Sequence, residues 1–267
     1  MYPFNYHKPT TVAEAATLFK SADDPMYLSG GMTLIPTMKQ RLAAPTDLID
    51  LSGIEELVSL EVGDCVVGVG AFTRHNDVAS SPDVQAALPV LAQLAALIGD
   101  NQVRNRGTIG GSVANSDPAA DYPAAVVGLG ATVVTQQREL SGDEFFEDLF
   151  ETALQPGEII TRIDFPIPRR AVYRKFPNPA SRYAVVGVLV ADFDGKVRVG
   201  VTGAGPCAFR ASGIEEVLNA SLDANAIDAV EVPDAGFNSD LHASGEYRAH
   251  LVKVMAKRAV QDLLQLP

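Results

Sequence analysis

Apolar and polar positions follow two different periods along the chain, and each period predicts a different kind of element. A helix is predicted to begin after Thr11, because Thr11 and Glu14 have the spacing of a capping box. Apolar residues recur behind it at helical spacing, which indicates one buried face. That face carries Val12, Ala15, Ala16 and Phe19.

Short apolar runs that end in glycine predict buried strands. "MYLSGG" (26–31) indicates a strand feeding a Gly-Gly turn, and "TLIPTMKQRL" (33–42) a short helix or turn behind it. "CVVGVGA" (65–71) indicates a second strand. "AALPVLAQLAALIGD" (86–100) is apolar nearly all round, which is typical of a buried helix.

The second half of the chain predicts an α+β arrangement that ends in an antiparallel sheet with helices. "AAVVGLGATVVTQ" (124–136) indicates a helix followed by a strand, and "PGEIITRIDFPIP" (156–168) a strand with a proline-rich end. Two β-rich runs flank Asp194-Gly195, a strong hairpin signal. A closing helix is predicted with one apolar face, formed by Tyr247, Leu251, Met255, Ala259 and Leu263. We therefore divide the chain into residues 1–53, 54–170 and 171–267.

Composition excludes several function classes. The 267 residues carry a net charge of −12, which argues against nucleic acid or an anionic membrane as partner. The N-terminus lacks a basic segment followed by an apolar one, and no apolar run is long enough to cross a bilayer, so neither a signal peptide nor a membrane span is expected. Two cysteines cannot make a disulfide framework, which is typical of a protein of the reducing cytoplasm. With two cysteines and four scattered histidines, the chain cannot ligate an iron–sulfur cluster alone, and we expect no metal site.

Two separated Gly-Gly pairs are the main candidates for ligand binding. The first lies in "LSGGMTLIP" (28–36), and the second in "RNRGTIGGSVANSDPAAD" (104–121). Glycine allows close approach of backbone N–H groups to a ligand, and successive N–H groups bind phosphate oxygens. The sequence therefore predicts one extended, anionic ligand gripped by both loops, against the alternative of two ordinary tight turns.

Charged residues near the second pair leave their roles open. Arg104 and Arg106 can pair with phosphates or with a partner's carboxylates, or form a solvated turn. Asp117 and Asp121 can accept hydrogen bonds from a ligand's hydroxyl groups, or cap the following helix. Two other motifs are incomplete. "GVGAFT" (68–73) lacks part of a dinucleotide-binding fingerprint, and its glycines are interpreted as belonging to a strand. "GGSVA" (110–114) lacks the final glycine of a nucleophile elbow, which argues against a serine hydrolase.

With both loops in place, the sequence resembles the flavin-binding medium subunits of molybdenum hydroxylases, the carbon monoxide dehydrogenase and xanthine dehydrogenase family. The matching motifs are "SGGMTLIP", "RNRGTIGGSVANSDPAAD", "FFEDLFETALQPGEIITRIDFP", "RYAVVGVLVADFDGKV" and "EYRAHLVKVMAKRAV", in the family's order along the whole chain. Ser29 and Met32 depart from the family's usual residues. The resemblance implies a two-part FAD-binding domain of the vanillyl-alcohol-oxidase type, followed by a small α+β C-terminal domain.

The resemblance also implies FAD as the cofactor and a set of residues that bind it. Ile160 and Lys175 match positions that contact the flavin in relatives, and Tyr183 a position near its isoalloxazine ring. The full expected set is Ser29, Gly30, Gly31, Met32, Thr33, Leu34, Thr108, Ile109, Gly110, Gly111, Ser112, Asn115, Asp117, Asp121, Ile160, Lys175 and Tyr183. No residue is expected to be catalytic towards the primary substrate.

The implied function is that of an electron-transfer subunit, an oxidoreductase component without its own substrate chemistry. A large partner would oxidise a substrate at a molybdenum cofactor, and a small partner would carry two [2Fe–2S] clusters. FAD on this chain would take the electrons and pass them to an external acceptor, in a heterotrimer that is single or doubled. Two alternatives stay open: a stand-alone flavin oxidoreductase, and a non-catalytic FAD-binding module.

Overall fold

The computed structural model describes residues 1–267, with three larger sheets that follow one another along the chain. The first sheet is parallel and has the strand order β1-β3-β2. Its elements are β1 (Asn5–His7), α1 (Val12–Ser21), β2 (Pro25–Leu28), α2 (Leu34–Lys39) and β3 (Asp47–Asp50). Two short 3-10 helices follow, Leu51–Gly53 and Glu55–Leu57.

Helix α1 begins where the sequence predicts. The Thr11 side chain accepts a hydrogen bond from the Glu14 N–H at 3.2 Å, as an N-cap does. The second bond of the predicted capping box is displaced by one residue, because the Glu14 carboxylate accepts from the N–H of Thr10 instead of Thr11. Phe19 stacks on Tyr27 with ring centroids 4.7 Å apart, which joins α1 to β2.

The second sheet is antiparallel, with the order β4-β5-β10-β6-β7. Residues 60–166 form β4 (Leu60–Val62), β5 (Val66–Gly70), α3 (His75–Ser80), α4 (Pro82–Ala87), α5 (Pro89–Ala96), α6 (Asn101–Arg104), α7 (Ile109–Asn115), α8 (Tyr122–Leu129), β6 (Thr132–Thr135), β7 (Glu139–Ser141), α9 (Gly142–Phe145), β8 (Phe146–Asp148), β9 (Glu151–Thr152) and β10 (Ile160–Pro166). The strands β8 and β9 pair separately as a small hairpin.

The single buried helix predicted over 86–100 is wrong. Helix α4 ends at Ala87 and Pro89 begins α5, because a proline is accommodated in the first turn of a helix but not in its interior. Helix α5 itself ends at Ala96, and the Asp100 side chain caps the next helix. The apolar character was correctly interpreted as burial, since Leu91, Leu94 and Ala95 are fully buried.

The third sheet is antiparallel and has the order β11-β12-β13-β14. It contains β11 (Arg170–Pro177), β12 (Ala184–Asp192), β13 (Val197–Thr202) and β14 (Phe209–Arg210), followed by α10 (Ser212–Ala220), a 3-10 helix (Ala224–Ala229) and α11 (Gly245–Leu263). The predicted hairpin is confirmed: Asp194 and Gly195 both have positive φ, and Phe193 and Lys196 exchange backbone hydrogen bonds.

Helices cover both faces of this sheet, which explains why every residue of β12 is buried. Alternate residues of β12 pack in separate cores: Leu189 lies with residues of α8, and Val188 and Val190 lie with residues of α11. The predicted face of α11 is correct except at Tyr247, which is exposed. Tyr247 lies in the first turn of α11, and its ring packs edge-on against Phe176 of β11.

Helix α8 lies directly on β13, although they belong to different predicted segments. A Cβ atom on Gly200 would lie 2.3 Å from the carbonyl oxygen of Ala124, so the glycine is required for this close packing. The division into three domains at residues 53 and 170 stays a prediction. None of the helices has both the length and the apolar character needed to span a membrane.

Candidate functional site

A cavity of about 620 Å³ lies where the first and second sheets meet the β11–β12 hairpin. Both Gly-Gly loops, the start of β10 and the hairpin residues 181–183 line it. About half of its 33 lining residues are hydrophobic. A cavity of this size with polar groups concentrated on a few loops has the character of a cofactor site.

The structure brings nearly all the expected site residues together at this cavity. Fifteen of the seventeen line it: Ser29, Gly30, Gly31, Met32, Thr33, Leu34, Thr108, Gly110, Gly111, Ser112, Asn115, Asp117, Asp121, Ile160 and Tyr183. Ile109 and Lys175 do not. The apolar side chain of Ile109 is fully buried in the core, and the Lys175 ammonium group lies against Asp121.

The first Gly-Gly loop offers a row of unpaired donors. The backbone N–H groups of residues 29–34 have no hydrogen-bond acceptor within the chain, and all six residues line the cavity. Such a run of N–H groups binds anionic oxygens without a cationic side chain. The loop therefore fits the phosphate part of a dinucleotide, as the sequence predicts.

The second loop does not have this property, and our hypothesis of backbone donors there is wrong. The N–H groups of Ile109 and Gly110 donate to the carbonyl oxygens of Thr73 and Ala71, at 3.1 and 2.8 Å. Those of Gly111 and Ser112 donate to the side chain and the carbonyl of Thr108, at 3.1 and 3.0 Å. Helix α7 begins here, and its first N–H groups are already satisfied by its N-cap and by the neighbouring chain.

The glycines are explained by loop packing. A Cβ atom on Gly30 would lie 2.1 Å from the carbonyl oxygen of Arg106, and one on Gly110 would lie 2.6 Å from the Cβ of Ala71. Gly31 alone of the four has a positive φ, +74°. The close approach that these glycines allow in the structure is one of the first loop to the second at Gly30, and of the second loop to Ala71, just after β5, at Gly110.

A hydroxyl pair joins the two loops at the cavity wall. The side-chain oxygens of Ser29 and Thr108 lie 2.6 Å apart, and Thr108 at the same time caps helix α7. Ser29 is one of the two departures from the family's usual residues, and here its hydroxyl has a definite partner. Met32, the other departure, is partly exposed at the cavity.

A buried ion pair lies behind one wall. The two carboxylate oxygens of Asp121 accept from the Tyr173 hydroxyl at 2.6 Å and the Lys175 ammonium group at 2.9 Å. Burial raises the pKa of Asp121, while Lys175 and Tyr173 oppose this rise. Because both oxygens of Asp121 are occupied, Lys175 and Tyr173 hold the carboxylate in one position at the cavity.

Asp117 and Tyr183 lie at the mouth. One oxygen of Asp117 accepts from the Ala119 N–H at 2.9 Å, and burial raises the pKa of this carboxyl group. Burial also raises the pKa of the Tyr183 hydroxyl, and the charges of Asp117 and Asp121 add to that rise. Arg182, between Ser181 and Tyr183, donates to the carbonyl oxygen of Gly99 at 3.2 Å and joins the hairpin to the opposite rim.

Arg104 and Arg106 do not line the cavity. The Arg104 guanidinium group donates to the carbonyl oxygens of Ile98 and Gly99, at 2.8 and 3.2 Å, and so fixes the turn before α6. Of the roles left open for these arginines, a phosphate contact in this cavity is wrong.

The expected set lacks four polar residues of the lining, Ser181, Arg182, His75 and Glu158, of which the last two are buried. His75 is buried, and burial together with the nearby charge of Arg104 lowers its pKa to about 4, so it is neutral at physiological pH. Its Nδ1 atom has no partner in the chain. Nothing in the spacing of the four histidines distinguishes it.

Glu158 is the other missed residue that is buried, although it stands in the quoted stretch before β10. Its carboxylate accepts two bonds from the Arg138 guanidinium group at 3.0 Å each, one from the Thr135 hydroxyl at 2.8 Å and one from the Gln155 N–H at 2.8 Å. Arg138, with help from Gln155 and Thr135, lowers the pKa of Glu158 to about 2 against the effect of burial. The network fixes the chain as it enters the cavity at Ile159 and Ile160.

Glu158 predicts a loss of stability in acid. Because its folded-state pKa of about 2 lies below its ordinary value of 4.5, its contribution is complete above pH 4.5 and is lost as the pH falls towards 2. Glu158→Gln is expected to cost about 1–3 kcal/mol at pH 7 and to flatten this acid dependence. Urea unfolding of both proteins at several pH values measures it, and parallel pH profiles would contradict the assignment.

The structure contains no group of three or more His, Cys, Asp and Glu side chains that could hold a metal ion. The two thiols are free, with Cys65 exposed and Cys207 half-buried.

Comparison with known proteins agrees with this geometry. Residues 2–168 match the family model described as the FAD binding domain in molybdopterin dehydrogenase. The carbon monoxide dehydrogenase medium chain of Hydrogenophaga pseudoflava is 34% identical, with 96% of each chain covered. The glyceraldehyde dehydrogenase medium chain of Sulfolobus acidocaldarius is 31% identical, with 98% of this chain and 100% of that one covered.

A chain in the crystal structure of cyanide-inactivated Cu,Mo-CO dehydrogenase has the same fold. The TM-score is 0.90 at 34% sequence identity, over 98% of this chain and 99% of that chain. The predicted α+β fold and the resemblance on which it rests are confirmed.

Proposed function

The chain belongs to the family of FAD-binding medium subunits of molybdopterin dehydrogenases, and from this premise we propose that it transfers electrons between iron–sulfur clusters of a partner and an external acceptor. As a member of that family it is an oxidoreductase subunit with an FAD-binding domain. The observation that carries the proposal is the row of six unpaired N–H groups at residues 29–34, which line a cavity large enough for a dinucleotide.

The residues present fit FAD. Hydrogen bonds to a charged group contribute about 1.5–3 kcal/mol each, so two or three of the six donors would hold a pyrophosphate despite the net charge of −12. Fixed N–H dipoles are suited to this task, since they add no mobile cation that must be desolvated. When bound, FAD supplies a group that accepts and releases electrons.

We assign the remaining cavity residues to binding and orienting the cofactor. The apolar lining, which includes Leu57, Phe72 and Ile160, would exclude water from a planar ring system bound there. Asp121, held by Lys175 and Tyr173, offers a fixed acceptor at the wall, and the hairpin residue Tyr183 covers the mouth. We place the seventeen expected residues in this role, with Ile109 and Lys175 acting as supports behind the cavity wall.

The proposed assembly follows from what the chain lacks and from its relatives. With two cysteines it supplies too few thiolates for a [2Fe–2S] cluster, which takes four. The relatives are named as medium chains and subunits of dehydrogenases and hydroxylases. We infer a large partner with the molybdenum cofactor and a small partner with the [2Fe–2S] clusters.

Native co-purification tests the proposal. The chain is isolated from its source cells without denaturation, and the absorbance spectrum and metal content of the isolated material are measured. Flavin bands with iron and molybdenum, together with one large and one small chain, are the expected result. A yellow protein without metal that is rapidly reduced by a nicotinamide cofactor would overturn the proposal in favour of a stand-alone flavin oxidoreductase. Flavin that no donor reduces would instead favour a binding module.

A further inference from the structure

A second cavity, of about 440 Å³, adjoins the first. The two cavities share the lining residues Asp117, Ser181 and Tyr183. On its other side the second cavity is lined by Ser239, Asp240 and His242, all of which are exposed. The shared residues therefore separate the cofactor cavity from a polar space that is in contact with solvent.

Among the three lining residues that the two cavities share, Asp117 is the one with a carboxyl group. Its Oδ1 atom accepts from the N–H of Ala119 at 2.9 Å, and its other oxygen has no hydrogen-bond partner in the chain. Asp121 differs in both respects, because its two oxygens are bonded to Tyr173 and Lys175 and it lines the first cavity alone. Of the two carboxylates at the wall, only Asp117 lines both cavities and has an oxygen without a hydrogen-bond partner.

From this geometry we propose that Asp117 carries the protons that accompany reduction and reoxidation of the cofactor, between the cofactor cavity and solvent in the second cavity. The inference rests on the proposed function and adds a proton route to it. Burial raises the pKa of this carboxyl group, which makes its protonated form more accessible than that of an exposed aspartate.

The step balances with the electrons of the proposed function. Two-electron reduction of FAD takes two electrons from the partner's clusters and at least one proton. In this step the O–H bond of Asp117 would break as the cofactor takes up the proton, and water in the second cavity would then return a proton to the carboxylate. Reoxidation by the external acceptor runs the same transfer in reverse.

The charged groups around Asp117 are compatible with this role. The Tyr183 hydroxyl lies close enough to Asp117 and Asp121 for both carboxylates to raise its pKa, and Asp121 is paired with Lys175. Across the second cavity lie His242, Asp240 and Arg248. Arg248 is bonded to the Val185 and Gly203 carbonyl oxygens and to Asp240, which leaves Asp117 without a fixed cation.

Flash reduction of the full chain loaded with FAD tests the route. A photogenerated deazaflavin radical delivers the electrons, and a pH-indicator dye in weak buffer reports proton uptake. In Asp117→Asn the final extent of uptake is expected to be unchanged, because the cofactor sets it. The rate is expected to fall by about 100-fold, and Asp117→Glu is expected to restore most of it. Asp83→Asn, which removes an exposed carboxylate from α4, is the control with a normal rate.

The outcomes separate this inference from the proposed function. Proton uptake at the wild-type rate in Asp117→Asn would overturn the route. All uptake rates are measured at saturating FAD and expressed per bound FAD, so that the contribution of Asp117 to cofactor binding does not enter the comparison. Failure of the wild-type chain to bind FAD would instead contradict the proposed function itself.

Discussion

Gly30→Ala is expected to weaken FAD binding by about 100-fold or more, equal to about 2.7 kcal/mol. The added Cβ would lie 2.1 Å from the carbonyl oxygen of Arg106 and 2.8 Å from the Cα of Gly107. Both contacts are with backbone, which cannot rotate away as a side chain can. The first loop must therefore move away from the second loop. The six N–H groups at residues 29–34 then no longer lie where they line the cavity.

FAD titration monitored by flavin fluorescence measures this effect. Gly63→Ala is the matched control, because a Cβ there meets only the Val66 carbonyl oxygen at an ordinary 3.5 Å, and Gly63 has no positive φ. The control is expected to bind FAD normally. Wild-type affinity in Gly30→Ala would show that the loops can separate without loss of the site, and would contradict the assignment of residues 29–34 to the phosphates.

The same contact shows what the motif means. In the sequence, two glycine pairs 80 residues apart suggested two equivalent grips on one ligand. In the structure they differ: the first loop has unpaired donors, and the second is a helix start whose N–H groups are consumed by Thr73, Ala71 and Thr108. Gly30 is needed because the first loop touches the second, and Gly110 because the second loop lies against Ala71. The sequence therefore predicted two tight glycine positions, but it did not show that the two loops have different roles.

Local patterns determined what could be predicted of the fold. The cap at Thr11, the turn at Asp194-Gly195 and the buried face of α11 depend on residues within one or two turns of each other, and these predictions hold. Pro89 indicates that a helix begins within 86–100, whereas the continuous apolar pattern favours one long helix; the proline decides the outcome. Tyr247 was placed by periodicity alone, although the first turn of a helix need not reach the core.

Contacts between distant residues were beyond sequence reasoning. Asp121 and Lys175 were each expected at the cofactor, yet their contact spans 54 residues and moves Lys175 behind the wall. The Glu158–Arg138 pair and the burial of His75 arise in the same way, from packing of separate segments. Spacing reports which residues share an element, while the partner of a buried charge depends on how the elements are arranged.

Lys175→Met is expected to destabilise the fold by about 3–5 kcal/mol at pH 7, because it leaves the fully buried Asp121 without its ionic partner. Methionine keeps most of the aliphatic volume, so the effect comes from the charge. Tyr173 continues to donate to the other oxygen and does not compensate for the lost cation. Urea unfolding of the chain without FAD measures the loss separately from cofactor binding.

The pH dependence of this variant identifies the cause. Without Lys175, the folded-state pKa of Asp121 rises further above its unfolded value, so the folded chain binds more protons than the unfolded one and stability falls as the pH rises from about 4 towards neutrality. The double variant Asp121→Asn/Lys175→Met removes the unpaired charge and is expected to recover a large part of the loss at pH 7, with a flat pH profile. If Lys175→Met costs less than about 1 kcal/mol, or if its cost does not change with pH, then Asp121 already reaches solvent or carries a proton in the wild type. In that case the ion pair would not be what holds the carboxylate at the cavity wall.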